Sequence, residues 1–314
     1  MSEVDYVRIN ETMGKMEYYL STHNKIGVSV SGGSDSNVIV HIIATYFRHY
    51  LDKITFYWIN TGLEYAATKR HLKFMEERYN IKIEEVKGMP IPLAVKKYGV
   101  PLYSKAFCEV LMGMRNGAKW AFDCFNGRDG TWKEISKANR SMANAVMESG
   151  INISNKCCKK SKKEPAHRFT KTNHIDLTIT GEQKAEGGVR ARSHKSCFEG
   201  GRKNREDKYM PLWFWNDATK QYYKEHEGIR YSDCYEVWGF KRTGCVGCPF
   251  NSKVGKDLQI IKQYEPQMYK ACINIFGESY RLMDKYLNRK DKVFSDEEQL
   301  DLFGLVKESE KDGV

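Results

Sequence analysis

Lys25-Ile-Gly-Val-Ser-Val-Ser-Gly-Gly-Ser-Asp-Ser36 decides the fold. Lys25 to Val30 reads as a buried strand and Asn37 to Leu51 as a helix. Between them stand Ser31, Gly32, Gly33, Ser34, Asp35 and Ser36. A strand, a Gly-Gly turn rich in hydroxyls and a helix start make a phosphate-binding geometry. Glycines adopt backbone angles closed to other residues, so successive N–H groups can point at one anion. The helix start adds its positive dipole end, and the serine hydroxyls can donate to phosphate oxygens. No Gly-Lys-Ser/Thr follows, which excludes the mononucleotide P-loop. Asp35 also suits a helix start, where a carboxylate meets the dipole.

Outward from this loop, strands and helices alternate. Tyr6 to Ser21 reads as an amphipathic helix, Ile54 to Ile59 as a second strand ending in Asn60-Thr-Gly-Leu-Glu64, and Ala66 to Tyr79 as a helix. Ile81 to Val86 reads as a third strand and Ile175 to Thr180 as a later one, ending in Gly181. This alternation predicts an α/β fold with a doubly wound parallel sheet of about five strands. The pattern changes after Met89, and a helical insertion is expected near 101–150. The run Gly187 to Lys208 reads as a loop, Pro211 to Asp217 leads into a helix with Tyr222 and Tyr223, and the chain from Tyr264 onward reads as helix. The expected domains are 1–208, which binds nucleotide, and 209–314, a C-terminal subdomain with a Cys-x-x-Cys motif.

The chain has 314 residues, 41% hydrophobic and 29% charged, which excludes disorder as its main state. Its net charge of +11 points to an anionic partner. From Asn155 to Lys208 there are 15 Lys and Arg against 7 Asp and Glu, a net of +8, so most of the charge lies in that stretch. Its basic segment after the later strand contains Arg190 and Arg192, which can pair bidentately with phosphate or sulfate. Met1-Ser-Glu-Val-Asp-Tyr6 is no secretory signal, and the apolar run Val38 to Phe47 is interrupted by His41 and too short for a bilayer. A cytoplasmic protein with reduced thiols and no membrane partner is the expectation. An oligomer is compatible with the sequence.

Nine cysteines, an odd and scattered number, make no disulfide framework. Cys157-Cys158 is followed by lysines, and Cys245-Val-Gly-Cys248-Pro249 begins 87 positions after Cys158. Four thiolates from two short motifs can hold one tetrahedral zinc or one cubane cluster. Lys156, Lys159 and Lys160 would offset thiolate charge. Cys197, in the basic segment, is the reserve candidate, and Cys108, Cys124, Cys234 and Cys272 read as ordinary buried thiols.

Ser31-Gly-Gly-Ser-Asp-Ser36 resembles the pyrophosphate (PP) loop of the adenine-nucleotide α-hydrolase superfamily. Asn60-Thr61-Gly62-Leu63-Glu64 resembles the Asp-Thr-Gly…Glu segment of phosphoadenosine phosphosulfate (PAPS) reductases, with Asn60 in place of Asp. Gly181, Glu186 and Arg190 fit that family's Gly-x-Arg-x-x-Glu-Ser-x-x-Arg loop, while Gln183 replaces its Arg and Gly187 its Ser. Glu186-Gly-Gly-Val-Arg190 is similar to PAPS-reductase-like proteins of phage and mobile elements. Pro211-Leu-Trp-Phe-Trp-Asn-Asp217 resembles the family's Pro-Leu…Trp…Asp-Val segment. The cysteine pattern looks like the [4Fe-4S] ligand set of adenylylsulfate (APS) reductases. The resemblance therefore implies a nucleotide site at Ser31–Ser36, Thr61, Gly62, Glu64, Gly181, Glu186 and Arg190, and an Fe-S-bearing C-terminal subdomain with Cys157, Cys158, Cys245 and Cys248 as ligands.

A reductase of this family forms an enzyme thiosulfonate on a C-terminal Glu-Cys-Gly-Leu/Ile-His segment, and no cysteine follows Cys272 here. Either Cys197 is the catalytic thiol or the chemistry differs. The second reading is an ATP-dependent sulfurtransferase or adenylating ATP pyrophosphatase that modifies tRNA or DNA. It would hold Mg²⁺ with the ATP phosphates, Asp35 approaching the metal, and would draw on a thiol or sulfur donor protein. Trp213, Phe214, Trp215, Tyr222 and Tyr223 either stack on nucleic acid or pack the core. A non-catalytic nucleotide-binding accessory protein with structural zinc or a cluster is the third reading.

Overall fold

The computed structural model describes residues 3–128, 137–186, 194–201, 205–287 and 289–294. The chain forms two compact units, Met1–Gly88 with Ser161–Thr243 and Met89–Lys160 with Gly244–Val314. Each unit is built from two chain segments. The reason lies in the packing. The helix Asp217–His226 lies against α1 (Glu3–Thr22), and Asp233–Glu236 lies against α3 (Ala66–Tyr79), so both belong with the sheet. The first helix of the second unit, Ile91–Tyr98, follows soon after Gly88, where the sequence pattern changes and ahead of the insertion expected near 101–150.

The first unit is α/β. Its six strands are β1 (Ile26–Ser29), β2 (Ile54–Asn60), β3 (Ile83–Lys87), β4 (Leu177–Ile179), β5 (Phe198–Glu199) and β6 (Asp207–Tyr209), in the order β3-β2-β1-β4-β6-β5. All neighbours are parallel except β5, which runs antiparallel to β6. Ile26 is in register with Ile54 on one side and Leu177 on the other, so β1 is central. The sequence reading of about five strands falls short because β5 and β6 lie in the run read as loop. Asp207-Lys-Tyr209 carries no apolar periodicity, and its pairing with β4 supplies the structure instead.

Helix α2 (Ser34–Tyr46) follows β1 and buries Val38, Ile39, Val40, Ile42 and Ile43. It stops earlier than its apolar run suggests, and Arg48–Lys53 forms a 3-10 turn. Each large apolar side chain removed from water contributes about 1.5–3 kcal/mol, which is why this doubly covered strand-helix pair forms the centre of the core. Trp213, Trp215 and Tyr223 are buried core residues, with the Trp215 indole donating to Thr12 Oγ1 at 2.8 Å. Phe214, between the two tryptophans, is exposed. Among the described residues no helix is long and apolar enough to cross a membrane.

The second unit is helical. Its helices include Ile91–Tyr98, Lys105–Arg115, Lys119–Phe125 and Lys137–Ser149, then Lys156–Cys158, Val254–Tyr264 and Pro266–Tyr286. Pro266–Tyr286 packs on Val254–Tyr264 and Lys137–Ser149, and Ile91–Tyr98 packs on Lys156–Cys158. Ser279 Oγ donates to the Pro101 carbonyl at 2.6 Å, which joins the two chain segments of this unit.

Candidate functional site

Strand order places β2 and β4 on opposite sides of β1, so the chain reverses its winding between β1 and β4. Open α/β sheets form a ligand crevice at the carboxyl ends of strands at such a switch point. Ser31 to Ser36 leaves β1 there. Gly32 has φ +70°, the left-handed region. Gly33 is extended and stands as the N-cap of α2 without a side-chain cap of its own. Ser31 Oγ accepts from the Gly33 N–H at 3.3 Å and lies 3.2 Å from Ser36 Oγ. Ser36 Oγ donates back to the Gly33 carbonyl at 3.0 Å. The serines therefore brace the loop as well as presenting hydroxyls.

Gly181, at the end of β4, touches this helix start. A Cβ on Gly181 would lie 2.9 Å from Asp35 Cβ and 3.1 Å from the Ser36 nitrogen. The close approach joins two sequence-predicted site positions across the switch point. Glu186 ends the short turn Lys184–Glu186, and its side chain and Arg190 lie outside the described residues.

The end of β2 is self-bonded. Gly62 has φ +75°, and its N–H donates to Asn60 Oδ1 at 2.8 Å. Asn60 Nδ2 donates to Glu85 at 2.7 Å. An aspartate could not make that second bond, and its charge would repel Glu85, so Asn60 suits this sheet. One Glu64 oxygen accepts from the Thr61 N–H at 2.8 Å and from its hydroxyl at 2.5 Å. The other Glu64 oxygen is buried without a hydrogen-bond partner.

Three side chains that sequence reading did not single out surround the loop. Tyr235 reaches the mouth of Gly33, its hydroxyl 3.1 Å from where a Cβ there would lie. That hydroxyl accepts from the Thr243 N–H at 3.2 Å, pairs with Thr243 Oγ1 at 2.9 Å and accepts from the Ser34 backbone. Lys220 Nζ donates to Asp35 Oδ1 at 2.8 Å. Tyr231 is buried, and its hydroxyl has no hydrogen-bond partner. Burial first, then the Asp35 charge, raises the Tyr231 pKa. No motif marks these residues, since they converge only through folding.

Behind the loop, Asn37 Nδ2 donates to His71 Nε2 at 2.7 Å and to the Arg230 carbonyl at 2.8 Å. Burial first, then the Arg230 charge, pushes the His71 pKa down to about 4, against the opposing pull of Asp233 and Glu236. Folded His71 thus stays neutral where an unfolded histidine, with pKa about 6.5, takes up a proton. The sign follows: stability is full above about pH 6.5 and falls as pH drops toward 4, by at most about 3 kcal/mol. Urea unfolding at several pH values should show this slope in the natural protein and a shallower one in His71→Gln. An equal slope in both would remove His71 as its source.

Cys157, Cys158, Cys245 and Cys248 all belong to the second unit. The Cys157 thiol is pushed up by a hydrogen bond to the Cys158 side chain, then by burial, then by charge on Cys158, Cys248 and Cys245. Cys157 thus lies within electrostatic range of the other three. The Cys248 N–H donates to the Cys245 carbonyl at 3.3 Å, and Gly247 at φ +61° completes the turn. Tyr280 donates its hydroxyl to the Gly247 carbonyl. Cys272 backs the turn, and burial first, with the Cys248 charge next, pushes its thiol up to about 12. Lys156 and Lys160 lie over the Tyr98 ring at 5.6 and 5.9 Å. Among the described residues no group of three or more His, Cys, Asp or Glu is arranged to hold a metal ion.

Cys197 is buried in the first unit's core beside Tyr19 and Tyr209, whose pKa values are raised by burial first and then by the Cys197 charge. Its carbonyl accepts from the Met210 N–H at 2.7 Å. A thiol so enclosed is poorly placed as a nucleophile, because thiolate reactivity needs access.

Residues 25–116 and 122–251 match the family model for the phosphoadenosine phosphosulfate reductase domain, and the chain belongs to that family. Two uncharacterized proteins of Methanocaldococcus jannaschii are 24% and 21% identical to it, over 83% and 86% of this chain and 43% and 55% of their own length. The chain thus spans about half the length of the curated relatives it matches. Among solved structures, the PAPS reductase of Candida auris in its phosphate complex is similar at 15% identity and TM-score 0.46, covering 78% of this chain and 96% of that one. The U34-tRNA thiolase NcsA of Methanococcus maripaludis, with its [4Fe-4S] cluster, is similar at 14% identity and TM-score 0.39, covering 93% and 85%.

Proposed function

We propose that this chain binds an adenine nucleotide, ATP, APS or PAPS, by its phosphates at Ser31–Ser36, and acts in sulfur chemistry. The observation that carries the reading is the helix start at the switch point, pressed against Gly181 with no room for a side chain between them. The family match supports the nucleotide class. Thr61, Gly62 and Glu64 line the neighbouring strand end, and Glu186 and Arg190 complete the proposed set. In this arrangement the loop N–H groups bind phosphate oxygens, and Ser34 and Ser36 orient them. Competition among ATP, APS and PAPS, with pyrophosphate and sulfite release monitored, tests the reading. Failure of all three to bind would overturn it.

Cys157, Cys158, Cys245 and Cys248 are the proposed ligands of a [4Fe-4S] cluster. A zinc ion gathers four sulfurs at about 2.3 Å from one point. A cubane takes its thiolates at separate irons and so accepts a wider set. The adjacent Cys157-Cys158 pair suits separate irons better than a single ion, because neighbouring side chains normally diverge, which favours the cluster. When bound, such a cluster would tie together the two chain segments that carry its cysteines. Cys157→Ser should lower iron and sulfide after anaerobic purification to less than about half, since one thiolate in four is lost. Full iron and sulfide content would contradict the assignment.

The sulfurtransferase reading has one observation in its favour. Cys108, Cys124, Cys197, Cys234 and Cys272, the cysteines outside the proposed ligands, are all buried. None is an accessible nucleophile for a sulfonucleotide. Under this reading attack at the α-phosphorus of ATP breaks the α–β bond, and pyrophosphate leaves from the loop. The acceptor would be a tRNA or DNA, with a thiol or sulfur donor protein as partner. ATP-dependent pyrophosphate release that requires RNA or DNA would establish it over sulfite release from PAPS.

A further inference from the structure

We infer that Lys220 is the resident cation of the phosphate loop. Its ammonium holds the Asp35 carboxylate, so the loop takes up a polyphosphate without a divalent metal. This rests on the reading that Ser31–Ser36 binds nucleotide phosphates.

Asp35 stands in the first turn of α2, beside the N–H groups that would receive phosphate. A carboxylate there repels the incoming anion. Neutralisation can come from a divalent ion bridging carboxylate and phosphate, or from a fixed side-chain cation. In this chain Lys220 already takes that place. Its Nζ lies 2.8 Å from Asp35 Oδ1, and the two side chains are only 14% and 23% exposed. The second carboxylate near Lys220, Asp217 at 3.9 Å, is 97% exposed and thus well solvated. A partly desolvated lysine pairs far more strongly with the sheltered carboxylate than with the exposed one.

The lysine is also held from behind. Asn216 caps its helix, accepting from the Thr219 N–H at 2.8 Å. Thr219 Oγ1 donates to Asp5 at 2.5 Å, and Tyr223, one turn along, is buried with its hydroxyl 3.1 Å from His41 Nδ1. The helix therefore fixes the lysine backbone, and Nζ needs no search to reach Asp35. The buried Tyr231 hydroxyl, without a hydrogen-bond partner, lies within electrostatic range of Asp35. A lysine ammonium has three donors, so it can hold Asp35 and still offer a proton to a phosphate oxygen. Lys220 is on this account a positioning residue for Asp35 and a contact for the anion.

The test is calorimetric titration of the full chain with sodium pyrophosphate and with ATP, in EDTA and in excess MgCl₂. The natural protein should bind each probe in EDTA and gain no affinity in MgCl₂, where the probe itself carries magnesium. Lys220→Met should bind about tenfold more weakly in EDTA and recover in MgCl₂, because the released Asp35 can then ligate the ion. Recovery by magnesium is a readout that loss of packing alone would not produce. Lys220→Met binding as tightly as the natural protein in EDTA, or failing to respond to magnesium, would overturn the inference. A magnesium requirement in the natural protein would overturn it while leaving the nucleotide reading intact. No binding of either probe in either buffer would remove the nucleotide reading, and this inference with it. If Lys220→Met does not fold, Lys220→Gln decides: it should bind pyrophosphate more weakly than the natural protein in EDTA and recover in MgCl₂, and unchanged affinity in EDTA or no response to magnesium overturns the inference.

Discussion

Gly32→Val is expected to destabilise the first unit by about 3–5 kcal/mol and to abolish pyrophosphate binding. Two separate effects add. Gly32 has φ +70°, where a β-branched residue is a genuine outlier. A Cβ there would also lie 2.5 Å from the Thr68 methyl, inside any allowed contact. Thr68 is buried and sits on α3, so it cannot swing away cheaply. Urea unfolding and pyrophosphate calorimetry measure the two losses. Gly32→Ala combined with Thr68→Ser separates their causes, because serine keeps the hydroxyl and removes the methyl. The double variant should regain about 1 kcal/mol over Gly32→Ala alone, the part owed to overlap. The remainder reports backbone strain. Wild-type stability and binding in Gly32→Val would show that the loop does not need its left-handed glycine.

Much of the first unit was legible because its signals are local. β1 and α2 declare themselves by apolar runs on either side of a glycine pair, and Ala66–Tyr79 is the helix that its pattern predicts. The glycine turn between them was legible for the same reason, since Ser31 to Ser36 are six successive residues. Lys220, Tyr231 and Tyr235 carried no such signal. They lie some two hundred positions from Asp35 in sequence and reach it only because the sheet brings two chain segments together. The strands β5 and β6 were missed because the edge of a sheet can be formed by polar residues whose partners supply the hydrogen bonds. The two-segment make-up of each unit carries no local signal for a related reason: the chain leaves the first unit at Gly88 and returns at Ser161, and contacts draw that line.

The cysteine turn combines both cases: its spacing was readable, its geometry was not. If the proposed cluster assignment holds, Gly247→Val is expected to remove nearly all iron and sulfide from the anaerobically purified protein, with pyrophosphate binding retained. Gly247 has φ +61°, so valine is strained there before any contact is considered. A Cβ would stand 2.7 Å from Cys272 Sγ and 2.7 Å from the Tyr280 hydroxyl. Both neighbours are buried, and Tyr280 is the group that ties down the Gly247 carbonyl. The turn must therefore open, which separates Cys245 from Cys248. Strain and overpacking of this kind cost about 2–5 kcal/mol, enough to lose a ligand pair. Gly244 provides the contrast within the same loop. A Cβ on it meets nothing within 4 Å, so Gly244→Ala should keep its iron. Cys272→Ala added to Gly247→Ala relieves the sulfur contact alone and should restore only part of the iron. Elemental analysis of all four proteins reads the result and distinguishes iron from zinc. Full iron in Gly247→Val, or loss in Gly244→Ala equal to that in Gly247→Val, would mean that the turn geometry does not hold the cluster.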